Sequence, residues 1–121
     1  MEEVTILYQN NIGVAFHWDK HEISNSKKIQ LIFRNTGLIL DYHQLFLFSK
    51  QVKTIIDNPK FCEDCENNNT CQSLLLNTPL TELKFTMSLN ELKEMRDLLI
   101  GVIFQLDLKS ILKYFEINTE N

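Results

Sequence analysis

The feature that most constrains the fold is a strand followed directly by a capped helix in the second half of the chain. Residues 83–87 alternate between apolar and polar side chains, which is typical of a half-buried strand. Ser88 and Glu91 have the spacing of a capping box, and an apolar stripe at helical spacing covers residues 89–103. The sequence therefore predicts a strand that leads straight into an amphipathic helix.

A looser copy of the same pattern lies earlier in the chain. Two apolar segments within residues 29–40 flank the turn signal Asn35-Thr36-Gly37. Asp41 and Gln44 have capping-box spacing, and a helix is predicted from there to Asp57. The two strand–turn–strand–helix units span residues 29–57 and 72–105, and their match fits either a duplication or chance.

These patterns predict the α+β class, with an antiparallel sheet, helices packed on one face, and two β-β-α-like repeats. Two such units placed side by side would bury their apolar faces in one shared core. A hairpin over residues 4–18 precedes them, with its turn at Asn10-Asn11. Residues 107–115 either form a separate C-terminal helix capped by Asp107 or continue the preceding helix. The 121 residues suit a single domain.

Composition argues against two classes of partner. The net charge is −4, and Lys27-Lys28 is the only close basic pair, so no nucleic-acid-binding surface is expected. No apolar run reaches the ~20 residues that a membrane-spanning helix requires. Residues 1–5 are acidic and lack the features of a signal peptide, which favours the cytoplasm and reduced cysteines.

The strongest local signal for chemistry is a group of three cysteines: Cys62, Cys65 and Cys71. The C-x-x-C pair can place two thiolates on one metal ion, and zinc prefers four ligands in a tetrahedron. The fourth ligand would come from another segment, with His17, His21 and His43 as the available imidazoles. The predicted metal ligands are thus the three cysteines with His17 or His21, and the predicted cofactor is zinc or none.

Three other readings of the cysteines stay open. They can be reduced thiols in a surface loop over residues 61–71, with Cys71 packed beside a strand. An iron–sulfur cluster would need a further cysteine. A redox role is disfavoured because Glu63 and Asp64 lie between the two thiols and oppose thiolate formation.

Enzyme activity has no positive support in the sequence. Asp41, Ser88 and Glu91 are the most tempting catalytic groups, but capping explains each of them. No P-loop, dinucleotide fingerprint, G-x-S-x-G or H-E-x-x-H occurs, and the chain has only three glycines. The sequence favours a non-catalytic interaction or structural domain, with a small zinc protein as the alternative.

Two helical segments are apolar around most of their circumference. Phe46 and Leu47 add to the apolar side of the first helix, and residues 100–104 do so in the last one. Such helices are either buried on all sides or covered by a partner. The second option predicts a homodimer or another protein partner.

The segments at residues 29–48 and 76–99 resemble a family of short bacterial proteins that has no established activity. The resemblance covers most of residues 12–115 and rests on apolar strands, a turn and a capped helix. Members of that family often carry a C-x-x-C before the first of these strands, where this chain has residues 16–21 with two histidines. The resemblance therefore implies a fold and no function.

Overall fold

The computed structural model describes residues 3–19, 28–59, 74–80 and 82–119. In chain order the elements are strands β1 (Glu3–Gln9), β2 (Gly13–Asp19), β3 (Ile29–Phe33) and β4 (Thr36–Leu40), helix α1 (Tyr42–Asp57), strands β5 (Leu74–Asn77) and β6 (Lys84–Met87), and helix α2 (Leu89–Thr119). All the described strand pairs are antiparallel. The predicted α+β class is therefore confirmed.

The first four strands form one sheet in the order β1-β2-β3-β4. Successive side chains point to opposite faces, so each strand contributes to both faces. Ala15, Leu31 and Leu38 lie side by side across three strands on the inner face, and all three are buried. The neighbouring row, with Phe16 and Ile39, points outward. The larger apolar side chains of β2, Val14, Phe16 and Trp18, therefore share the outer face.

A β-bulge in β1 breaks the alternation. Ile6 pairs with Phe16, whereas Tyr8 pairs with Ala15, so Leu7 is the extra residue. A bulge lets two successive side chains approach the same face. Leu7 is buried, and the ring of Tyr8 reaches Gly101 of α2 instead of joining Ile6 on the outer face.

Both helices lie on the inner face of this sheet. Helix α2 packs on β1 and β2, while α1 packs on α2, on β4 and on β5. The apolar stripes of both helices, the inner sheet residues and the second hairpin share one hydrophobic core. Its largest fully buried side chains are Phe33, Phe48, Ile29, Leu31, Leu40, Leu45, Leu76, Met87, Leu92, Met95, Leu98 and Leu99.

Strands β5 and β6 form a separate two-stranded sheet, although the sequence led us to expect one sheet. Side chains connect the two sheets: the Phe33 and Phe85 rings meet edge to face with centroids 4.9 Å apart. Arg34, in the two-residue loop between β3 and β4, donates to the Thr86 carbonyl at 2.9 Å. Its φ of 56° lies in the left-handed region that non-glycine residues seldom adopt.

Both predicted capping boxes are confirmed. The Asp41 carboxylate accepts from the Gln44 amide at 2.8 Å, and the Gln44 side chain accepts from the Asp41 amide at 3.0 Å. Ser88 and Glu91 exchange the equivalent bonds at 3.1 and 3.0 Å. These bonds satisfy amides at the helix N-termini that have no partner within the helix.

Helix α2 continues without a break past Asp107, so the alternative of a single long helix describes this segment. A hairpin precedes each helix, but the two hairpins differ in their surroundings. The β3–β4 hairpin lies within the four-stranded sheet, whereas β5–β6 stands apart from it. A duplication of the two units therefore stays a prediction.

The contact between Tyr8 and Gly101 provides a test of this packing. An alanine Cβ at position 101 would lie 2.6 Å from Cγ and Cδ1 of Tyr8. Gly-to-Ala changes inside exposed helices stabilise by ~1 kcal/mol, whereas overpacking costs ~1–3 kcal/mol. We expect Gly101→Ala to lower the free energy of unfolding by ~1 kcal/mol in urea denaturation.

The control for this prediction is the same substitution in a Tyr8→Ala background. There the ring is gone, so Gly101→Ala should raise the free energy of unfolding. A destabilisation of similar size in both backgrounds would show that Tyr8 is not the cause.

Candidate functional site

An exposed apolar stripe runs along the solvent side of α2. Its residues follow one another at intervals of four, four, three and one: Ile100, Phe104, Leu108, Ile111 and Leu112. Such intervals place side chains on one side of a helix. Their exposed fractions range from 37% at Leu108 to 60% at Phe104, so the described part of the chain leaves this stripe open.

This stripe lies on the side of α2 opposite the residues that pack in the hydrophobic core. Met95, Leu98 and Val102 are fully buried against the sheet and α1. Before Ile100 the solvent side of the helix is polar, with Lys93 and Asp97 exposed. From Ile100 to Phe104 both sides of the helix carry apolar side chains, which is typical of a helix that contacts a partner on its second side.

Residues near the N-terminus of helix α1 extend this surface. The Tyr42 hydroxyl donates to Asp107 Oδ1 at 2.9 Å, which fixes the side of α1 that faces α2. Phe46 lies one helical turn further on the same side and is 38% exposed, with Lys50 Nζ 4.7 Å from its ring centroid. Leu47 is also exposed, but it lies about 100° further round the helix and points away from α2.

We call the set Phe46, Ile100, Phe104, Leu108, Ile111 and Leu112 the helix surface. The sequence predicted exposure or burial as alternatives for Phe46, Leu47 and residues 100–104, and the structure leaves Phe46, Leu47, Ile100 and Phe104 exposed. Leu108, Ile111 and Leu112 were missed. Their helical spacing on the side opposite the core stripe was the signal that could have found them.

The far part of α2 extends beyond the core. Every residue from 107 to 112 is exposed, and Val102 is the last fully buried residue in the part of the helix whose side chains are described, residues 89–112. A short helix without packing is marginal in water. Contact with a partner would stabilise this part of the helix. It would also remove the exposed apolar side chains of residues 107–112 from water, which is favourable.

Most of the predicted metal ligands lie outside the described residues, namely Cys62, Cys65, Cys71 and His21. His17 is half-buried on the inner face of β2, and its Nε2 lies 3.3 Å from Lys109 Nζ. An ammonium group at that distance repels a metal cation, so metal binding by His17 would require Lys109 to move. Within the described part of the chain, no three His, Cys, Asp or Glu side chains converge on a common point.

A polar contact fastens the β1–β2 turn to α2. The Asn10 side-chain amide donates to the Glu94 carbonyl and to Asp97 Oδ2, each at 2.9 Å. The Asn10 side-chain oxygen accepts from the Ile12 amide at 3.1 Å and so closes the turn. Asn10 and Asp97, which form this contact, also line a surface depression beside it together with Lys93 and Glu94. We assign it a structural role.

Two tyrosines form hydrogen bonds with aspartates of α2. The Tyr8 hydroxyl donates to Asp97 Oδ2 at 3.0 Å, as Tyr42 does to Asp107. Each hydrogen bond raises the pKa of its tyrosine above the ordinary value of 10.0, with smaller contributions from desolvation and from the aspartate charge. The aspartates thus hold the phenols in the protonated form that docks β1 and α1 on α2.

Comparisons of the chain with protein-family models, with curated proteins and with solved structures gave no match. They add no support to the resemblance with short bacterial proteins. In the described part of the chain, neither helix has the combination of length and hydropathy that crossing a bilayer requires.

The raised tyrosine pKa values predict a loss of stability in alkali. A folded-state pKa above the unfolded one gives a contribution that is complete below pH ~10 and disappears as the pH rises through the folded value. We expect Asp97→Asn to lower the pKa of Tyr8 toward its ordinary value in an NMR titration of the ring signals. Asp57→Asn, which removes an exposed carboxylate paired with Lys53, should leave the Tyr8 titration unchanged.

Proposed function

We propose that this protein is a non-catalytic interaction domain that pairs with a second copy through the helix surface. The observation that carries the proposal is the apolar stripe from Ile100 to Leu112 on the solvent side of α2. Contiguous exposed apolar patches on a soluble domain mark interaction sites.

A second copy fits the stripe better than a highly charged partner does. The side chains of the stripe carry no charge, and apolar stripes on two helices can pack against each other along their length. Two copies related by a twofold axis would place the same stripe on both sides of the contact. Each copy would then bury the part of α2 that its own core leaves exposed.

Replacing Phe104 with glutamate tests this proposal. Phe104 is 60% exposed, so the change should leave the fold intact while placing a charge in the middle of the proposed contact. We expect the substitution to weaken self-association by about tenfold or more, or ~1.4 kcal/mol, in light scattering after gel filtration. The wild-type chain should be dimeric in the same experiment, and a wild-type monomer at high concentration would exclude helix pairing.

Asn90→Glu is the matched control. Asn90 is exposed on the solvent side of α2 before the stripe begins, and the substitution adds the same charge as Phe104→Glu. A carboxylate in the first helical turn is favourable there. Dimerisation should therefore persist, and equal loss in both variants would point to a general charge effect.

A second candidate function, zinc binding, rests on the spacing Cys62-x-x-Cys65 with Cys71. A cytoplasmic location, which we also propose, would keep these thiols reduced and able to bind metal. Protein purified under reducing conditions should then contain close to one zinc per chain by elemental analysis. Cys62→Ser with Cys65→Ser should lose it, whereas metal content near zero in the wild type would exclude the zinc site.

A further inference from the structure

The two edges of the four-stranded sheet differ in how they are protected. Native sheets shield an edge strand with charged residues, proline or a bulge, because its unpaired backbone groups can pair with another strand. Strand β1 has the bulge at Leu7 and begins with Glu3. Strand β4 pairs with β3 in unbroken register from Thr36 to Leu40, and it contains neither a charged residue nor proline. The β4 edge is therefore the unshielded one.

The backbone groups at the β4 edge belong to two residues, Gly37 and Ile39. A two-residue loop joins β3 to β4, so the residues next to it, Phe33 and Thr36, form a hydrogen-bonded pair. Such pairs alternate along an antiparallel ladder with pairs whose amides and carbonyls point away from the partner strand. Gly37 and Ile39 belong to pairs of the second kind. Each therefore directs one amide and one carbonyl away from β3.

The described part of the chain leaves these groups open. Residues 36–40 form the last strand of the sheet, and neither Gly37 nor Ile39 takes part in the described backbone bonds of loops and caps. The open edge ends at Asp41, whose amide donates to Gln44 Oε1 and whose carbonyl accepts from the Leu45 amide, both at 3.0 Å. Two donors and two acceptors thus define the edge.

We propose that β4 pairs antiparallel with β4 of a second copy, with Gly37 of each copy opposite Ile39 of the other. A twofold axis passes beside Leu38 in this register, and all the open groups of both copies form hydrogen bonds. A shift of two residues in one direction places Ile39 opposite Asn35 of the turn. A shift in the other direction places Gly37 opposite Asp41, whose groups are already bonded. The pairing therefore has one register.

Side chains on the outer face of the sheet favour the same register. Ile39 is 57% exposed. Among the described residues, a Cβ at Gly37 would meet only Ile32 Cγ1, at 3.9 Å, so the space above Gly37 is open. Residues that pair across antiparallel strands share a face, so Ile39 of one copy fits the space above Gly37 of the other. Because β4 carries no charge, this pairing brings no like charges of β4 together, although each copy has a net charge of −4.

This contact is separate from the helix surface, because β4 lies at the sheet edge and the apolar stripe lies on the solvent side of α2. Backbone bonds from two residues of each copy make a small interface, and small interfaces belong to reversible complexes. We therefore expect a monomer–dimer equilibrium that depends on protein concentration. The edge pairing does not rest on pairing through the helix surface.

Amide hydrogen exchange tests which backbone groups pair. The Phe104→Glu protein removes the helix contact. In it, the Gly37 and Ile39 amides should exchange about tenfold more slowly, or slower still, at a concentration that gives mainly dimer than at high dilution. The Leu38 amide bonds to Leu31 in both states, so its exchange should change little. Equal exchange of Gly37 and Ile39 at both concentrations, or a Phe104→Glu protein that is monomeric at every concentration, would overturn the proposal.

Proline substitutions provide a second test. Ile39→Pro removes an outward amide but no hydrogen bond within the sheet, and edge strands tolerate proline at such positions. We expect it to weaken association of the Phe104→Glu protein by about tenfold or more in sedimentation. Ile6→Pro is the matched control: Ile6 is 58% exposed on β1, and its amide also points outward because its partner Phe16 bonds to Gln30. Association should persist in this variant.

The outcomes separate the two contacts. If Phe104→Glu does not alter wild-type association while Ile39→Pro abolishes it, the edge pairing holds and pairing through the helix surface is wrong. If Ile39→Pro leaves association unchanged in both the wild-type and the Phe104→Glu protein, the edge pairing is wrong. Pairing through the helix surface then stands or falls with the effect of Phe104→Glu alone.

Discussion

The packing of α2 on the inner face of the four-stranded sheet is the interaction on which the rest of the structure depends. Tyr8 and Asn10 bind α2 from the first hairpin, and Tyr42 binds it at the start of α1. Without this helix, the inner sheet residues and the apolar stripe of α1 would lose much of their cover. Since burial of apolar area is the main stabilising term, α2 organises the core as well as the surface.

This arrangement explains why two apolar surfaces are left exposed. A four-stranded sheet with helices on one side has a second side, and a helix with apolar side chains on two sides has a second apolar face. The domain has no further described layer to place over either. The exposure of Ile39 and Phe104 thus has one cause: the described elements have more apolar faces than layers to cover them.

The two surfaces lie on opposite sides of the domain, because both helices pack on the inner face of the four-stranded sheet. A single flat contact therefore cannot cover both of them.

The sequence by itself determined the local structure: the strands, the turn at Asn10, the α+β class and both capping boxes. These features depend on neighbours within a few residues, because a cap or an alternating strand is defined by local spacing. Only the tertiary structure decided which faces are covered. A bulge at Leu7 turns Tyr8 inward, β5 and β6 form their own sheet, and Phe16 points outward. The physical reason is that an apolar residue has the same local signature on either face of a sheet, and only packing between distant segments decides which face is buried.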